Sequence, residues 1–151
     1  MLSYTVNPIN KFSELQLGEF TEISDKFIEP KLIEKEGKKE VFLIPLPQPS
    51  KNWQQVREYL SEEGYKPCKQ GTNYLLGVLK EFISTGQHPE VLNQHMIASI
   101  DDEEVIEDKE GYKSFFAVEI NHATERFTTF EMHEVRNWFH PNSWFIIAEK
   151  N

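Results

Sequence analysis

His133-Glu134-Val135-Arg136-Asn137 opens like HExxH, the signature in which two histidines four apart on one helix face hold zinc. The fifth residue is Asn, so the second ligand is missing. The other histidines are His88, His95, His122 and His140. If residues 126–135 form a strand, Glu131 and His133 point to one face, where His122 or His140 can complete a metal site. Scattered histidines in an acidic protein are more often surface residues, so no metal and no other cofactor is assigned. Cys68 stands between Lys66 and Lys69. Nearby positive charge lowers a thiol pKa, but a nucleophilic cysteine also needs a base within hydrogen-bond reach. A plain thiol is the preferred reading.

Asp101, Asp102, Glu103, Glu104, Glu107, Asp108 and Glu110 face only Lys109 in a ten-residue stretch. A catalytic carboxylate pair needs burial to push its two pKa values apart, and a run this dense reads as a solvated turn. It is expected to be exposed and dispensable for folding. Its functional reading is electrostatic, as a patch that meets a basic partner. Trp138, Phe139, Trp144 and Phe145 lie within eight positions. Large rings are core residues first, but Trp is also enriched at binding hot spots. Trp144 opens an apolar strand and is expected in the core. Trp138 precedes Pro141-Asn142, turn residues that bring its loop to the surface, and there Trp138 and His140 become candidate binding residues.

No GxxxxGK[ST], GxGxxG or GxSxG motif is present, and the acidic run lacks the spacing of an EF-hand loop. The chain has 151 residues, with 25 Asp+Glu against 16 Lys+Arg and a net charge of −9. One domain spanning 1–151 is expected at this length. General nucleic-acid binding is disfavoured, because like charge repels the phosphate backbone. A single cysteine excludes a disulfide within the chain and a cysteine-only zinc site. The N-terminus shows no signal-peptide pattern, and no apolar run approaches the roughly 20 residues that cross a bilayer. A cytoplasmic protein with no membrane partner is expected.

The elements that position these residues follow from periodicity. Residues 11–17 read as a short helix capped by Asn10 and ended by Gly18. KLIEKE (31–36) and EVFLIPL (40–46) flank Gly37-Lys38-Lys39 as a hairpin. Trp53, Val56, Tyr59 and Leu60 mark one face of a helix over 51–63, capped by Ser50. A second helix over 72–85, capped by Thr72 and ended by Gly86, is apolar around much of its circumference and is expected to be the most buried element. Strands follow at 96–100, 103–108, 112–120, 126–135 and 144–150. A β-hairpin, two helices and then strands favour an α+β fold, two helices packed on an antiparallel or mixed sheet.

From residue 41 onward the chain resembles a group of small uncharacterised prokaryotic proteins. The likeness rests on Trp53-x-x-Val56-x-x-Tyr59-Leu60, Gly64-Tyr65-Lys66-Pro67, His88-Pro89-Glu90-x-Leu92 and Trp144-Phe145-Ile146-Ile147-Ala148-Glu149-Lys150. The group runs from a GYRPA-type helix boundary to a W…RFLAVRK-type terminus. The terminus is more distantly similar to the last strand of C-type-lectin-like folds, which supply an alternative topology. The resemblance implies structural residues and no catalytic one.

Together these features point to a non-catalytic binding protein. Its acidic patch and aromatic C-terminal loop would engage a protein or other macromolecular partner, a basic one by charge. The alternatives are a small enzyme or ligand-binding domain centred on His122, His133 and His140, and an acidic phage-type or defence-related inhibitor that mimics nucleic acid.

Overall fold

A computed structural model describes residues 1–15, 21–25, 27–121 and 127–151. In chain order the elements are β1 (Leu2–Val6), β2 (Thr21–Ile23), β3 (Lys39–Pro45), α1 (Trp53–Glu62), β4 (Tyr65–Pro67), α2 (Gly71–Thr85), β5 (His95–Ala98), β6 (Ile106–Glu107), β7 (Lys113–Asn121), β8 (Phe127–Glu134) and β9 (Trp144–Lys150). Single 3₁₀ turns occur at Phe12–Glu14, Glu90–Leu92 and Asp102–Glu104.

The strands form one mixed sheet in the order β1-β3-β9-β5-β7-β8-β2, with β4 on β9 and β6 on β7. The pairs β5–β9 and β2–β8 are parallel, and the others are antiparallel. Strand alternation sends Trp144, Ile146 and Ala148 to one face of β9 and Phe145 and Ile147 to the other. All five are at most 4% exposed, so both faces are covered. On one side Leu75, Leu76, Val78 and Leu79 of α2 pack with Val41, Leu43, Ile97, Phe116, Val118, Phe145 and Ile147. On the other, Val56 and Leu60 of α1 pack with Phe42, Ile44, Ala98, Phe115, Ala117, Trp144 and Ile146. This is the α+β arrangement expected from the sequence, with its two helices on opposite faces of the sheet.

The hairpin expected over 31–46 does not form. Residues 31–36 contain no strand. Their backbone bonds go to asparagines instead. Asn10 Nδ2 donates to Lys35 O at 2.9 Å, Lys35 N donates to Asn10 Oδ1 at 3.0 Å, and Asn73 Nδ2 donates to Ile33 O at 2.8 Å. The partner of β3 is the N-terminal β1, from Leu2↔Leu43 to Val6↔Lys39. Burial decides the exchange: Val6 is core, whereas Ile33 is 54% exposed. The helix expected at 11–17 shrinks to the turn Phe12–Glu14, and residues 16–18 lie outside the described residues.

Two expected caps also move. Lys51 exchanges backbone hydrogen bonds with Phe139, at 3.0 and 2.7 Å. The chain therefore stays extended past Ser50. Asn52 caps α1 through a capping box, in which Gln55 N donates to Asn52 Oδ1 at 2.8 Å and Asn52 N donates to Gln55 Oε1 at 3.0 Å. Helix α2 begins at Gly71, after Gln70 in the left-handed conformation, with no cap from Thr72.

Helix α2 also presses closely on the chain after β1. A Cβ added at Gly77 would collide with the backbone oxygen of Asn7. Leu76→Ala should cost about 2–5 kcal/mol, as for other buried leucines. Gly77→Ala should cost about 1–3 kcal/mol through overpacking. Urea denaturation measures both. Losses below about 1 kcal/mol at both positions would place α2 at the periphery.

Glu149 ties β9 to its surroundings. Lys39 Nζ donates to Glu149 Oε2 at 2.9 Å, and Lys69 N to the same oxygen at 3.1 Å. Burial pushes this carboxyl upward, but the Lys39 and Lys69 hydrogen bonds and the charges of Lys39 and Lys66 hold it below its ordinary value. A carboxyl depressed in the folded state adds stability above its unfolded pKa and loses it as pH falls through the folded value. Glu149→Gln should therefore be destabilising at neutral pH, and the gap should close with acidification. Melting curves across that range test it. An equal gap at both ends would assign the effect to packing.

Candidate functional site

The acidic segment serves two helices before anything else. After β5 the chain passes the N-terminus of α2, whose first N–H groups have no partner within the helix. Gln70 N donates to Asp101 Oδ2 at 2.8 Å, and Thr72 N donates to both oxygens of Glu104 at 3.2 Å. Ser99 Oγ donates to Glu104 Oε1 at 2.7 Å. The approach is close enough that a Cβ at Gly71 would collide with Ser99 Oγ. Negative charge is favoured at a helix N-terminus. Burial still pushes the Glu104 carboxyl upward, against the hydrogen bonds from Ser99 and Thr72.

Asp102 turns the other way, toward α1. Trp53 Nε1 donates to its Oδ1 at 2.8 Å, and Arg57 Nη2 pairs with its Oδ2 at 2.7 Å. Asp108 organises the following turn, accepting from Glu110 N and Tyr112 N at 2.9 Å and from Ser114 Oγ at 3.0 Å. The expectation of a solvated patch is thus corrected for Asp101, Glu104 and Asp108, which are half-buried acceptors, whereas Asp102 stays exposed while it pairs with α1. Their carboxyl oxygens accept the hydrogen bonds that complete helix ends and a turn. Glu103 and Glu107 are exposed.

The second half of the acidic run meets the C-terminal loop. The β7–β8 register places Ser114 opposite Glu134, and Val135 N donates to Lys113 O at 2.9 Å. One step further, Tyr112 comes opposite Arg136, whose guanidinium lies 3.9 Å from the Tyr112 ring centre. Asp108, Lys109, Glu110, Tyr112, His133, Glu134, Arg136 and Asn137, with Asp25 and Met132, line a pocket of about 380 Å³. Arg136 is already paired with Glu134, Nη2 to Oε1 at 3.3 Å. Trp138 follows Asn137 and is 53% exposed, while Trp144 is 4% exposed and stacks edge-on against Phe139 at 4.9 Å. His140 is exposed on the same loop.

Sequence reasoning singled out Asp108, Trp138 and His140 but missed Tyr112, Arg136 and Asn137. The missing signal is a cross-strand register, which spacing along one strand cannot supply.

Glu131 and His133 do share a face. His133 Nε2 and Glu131 Oε2 lie 3.5 Å apart, shut off from solvent and with no hydrogen-bond partner. The His133 ring meets Trp144 edge-on at 5.0 Å. Glu119, on the neighbouring strand, has its carboxyl raised by burial and by the charge of Glu131. The expected third ligand His122 lies outside the described residues. Among the described residues, no three His, Cys, Asp or Glu side chains converge as a metal site, so His140 does not complete one. Cys68 is fully buried, and burial pushes its thiol up to about 12 against the opposing charge of Lys39. The flanking lysines do not activate it. No helix among the described residues is long and apolar enough to cross a membrane.

No family model, curated protein or solved structure matches the chain. The resemblances drawn from the sequence therefore carry no further argument, and the reading rests on the geometry.

Asp101→Ala and Glu104→Ala should each cost about 1–3 kcal/mol, because each strands a donor at the start of α2. A carboxyl raised in the folded state stabilises most at acid pH and loses that contribution as pH rises through the folded value. The Glu104→Ala deficit should therefore shrink toward neutral pH, opposite to Glu149→Gln. Denaturation at two pH values checks both the size and the sign.

Proposed function

We propose that the chain is a non-catalytic binding protein whose recognition surface is the pocket between the 108–112 turn and the loop that begins at Arg136. One observation carries this reading. The acidic turn and the aromatic C-terminal loop, separate in sequence, meet at one pocket through Asp108, Tyr112, Arg136 and Asn137. Trp138, the next residue in the chain after Asn137, faces solvent.

The charge of the pocket points to the class of partner. Asp25, Asp108, Glu110 and Glu134 outnumber Lys109 and Arg136, and Arg136 is held by Glu134. A protein presenting a basic side chain complements this balance. The Tyr112 and Trp138 rings give such a partner apolar area at low entropic cost, as hot-spot aromatics do.

The histidine-centred alternative has its own support in the unpartnered Glu131 and His133 atoms. It would be favoured by recovery of a small molecule or metal with the purified protein and no stoichiometric protein partner.

The test is affinity capture from the source cells followed by mass spectrometry, then titration of the captured protein. Trp138→Ala should leave the melting temperature almost unchanged and weaken binding by at least about 2 kcal/mol, some 30-fold. Neutralising Glu110 should slow association mainly at low salt. Full affinity in the Trp138 variant would remove this surface from the interface.

A further inference from the structure

The opposite edge of the sheet carries a separate feature. Among the described residues, β1 has one neighbour, β3, and no strand beyond it. The ladder fixes which backbone groups face outward. Leu46 N donates to Trp144 O, which makes residue 46 and, by the alternation of an antiparallel pair, Ile44 and Phe42 bond toward β9. Val41 and Leu43 then bond toward β1, opposite Tyr4 and Leu2. Ser3 and Thr5 direct their N–H and C=O groups away from the sheet.

Natural edges are blunted by charge, proline or a bulge. Leu2-Ser3-Tyr4-Thr5-Val6 has neither charge nor proline, and its register with β3 runs unbroken. A groove of about 510 Å³ runs beside it toward the end of α2, lined by the apolar Tyr4, Val6, Phe82 and Pro89 and by the polar Thr5, Glu81, Thr85, Gln87 and His88. Tyr4 and Phe82 meet edge-on across it at 5.6 Å.

From this geometry we infer that β1 pairs with β1 of a second copy of the chain, antiparallel across a two-fold axis at Tyr4. The pattern is self-complementary. With Tyr4 opposite its symmetry mate, Ser3 meets Thr5 of the second copy and Thr5 meets its Ser3, so all four outward-facing pairs of groups find partners. The second copy's Leu2, Tyr4 and Val6 then lie on the groove side, where Tyr4, Val6, Phe82 and Pro89 offer apolar contact. Charge selects this edge as well. Copies carrying −9 repel one another, and two neutral strands bring no carboxylate into the seam. At the other end of the sheet, β2 carries Glu22.

Sedimentation velocity across a concentration series reaching about 1 mM tests the inference. The wild-type mass should rise toward twice that of the monomer. Thr5→Pro removes an outward N–H and no bond to β3, so it should weaken dimerisation at least about 10-fold with an unchanged melting temperature. Should that variant unfold, two others decide. Ser3→Lys/Thr5→Lys sets like charges across the seam and should give a monomer. Ser3→Lys/Thr5→Glu sets opposite charges across both pairs and should restore the dimer. A wild type that stays monomeric throughout overturns the inference, and so does a dimer indifferent to these substitutions. An extended peptide from another protein would then be the remaining occupant of the edge.

Discussion

A strand with two apolar faces is the constraint on which this fold rests. β9 presents Trp144, Ile146 and Ala148 to one side and Phe145 and Ile147 to the other, and none of these can be left in water cheaply. One lid is not enough. The chain answers with α1 over one face and α2 over the other, and it must cross the sheet between them. It does so through β4, three residues that pair with the far end of β9, from Tyr65↔Lys150 to Pro67↔Ala148. The charged end of β9 is held in the same place, where Glu149 gathers Lys39, Lys66 and the Lys69 N–H.

Two lids on opposite faces share no contact surface of their own, so something at the sheet's rim must set their positions relative to each other. The segment after β5 does this with adjacent residues of opposite direction. Asp101 accepts from the start of α2, and Asp102 accepts from Trp53 and Arg57 of α1. Arg57 also donates to Ile100 O at 3.0 Å. Acidic residues suit the task because helix N-termini and guanidinium groups both favour anionic acceptors. Four of the seven acids in this run are therefore structural. That weakens any reading that needs the whole run as one phosphate-like array, and it shifts the proposed recognition toward the 108–112 turn.

The legible parts of the fold were those where one segment decides its own fate. The strand at 144–150 announces its two-sided burial by alternation alone, and the helix at 72–85 announces its burial by being apolar all round. The parts that failed depend on competition between segments. KLIEKE and LSYTV are both plausible partners for β3, and only tertiary burial of Val6 against α2 decides between them. Caps failed for the same reason. Ser50 is a good cap in isolation, but the Lys51–Phe139 bridge keeps the chain extended past it, and Thr72 loses the role to carboxylates some thirty residues away. The pocket proposed for recognition was half visible: its acids stand out by type, while Tyr112 and Arg136 become neighbours only through the β7–β8 register.

The same strand β8 bears on the choice between the proposed binding and chemistry, and access favours binding. A general base must come within about 2.6–3.2 Å of the proton it takes. His133 is the natural candidate, since Glu131 stands beside it as an orienting carboxylate. Yet the Nε2 that would face Glu131 is closed to solvent, as is Glu131 Oε2, and the two lie 3.5 Å apart, beyond a good hydrogen bond. The imidazole is also packed between Phe115 at 5.9 Å and Trp144 at 5.0 Å. The two facing atoms are thus covered, although the side chains keep 27% and 26% exposure and His133 lines the open pocket. The pocket bounded by Tyr112 and Arg136 is already open and already charged, and the residue after its Asn137 is a tryptophan in water. Binding there, as proposed, asks nothing of the core, whereas chemistry between His133 Nε2 and Glu131 Oε2 needs those two atoms uncovered.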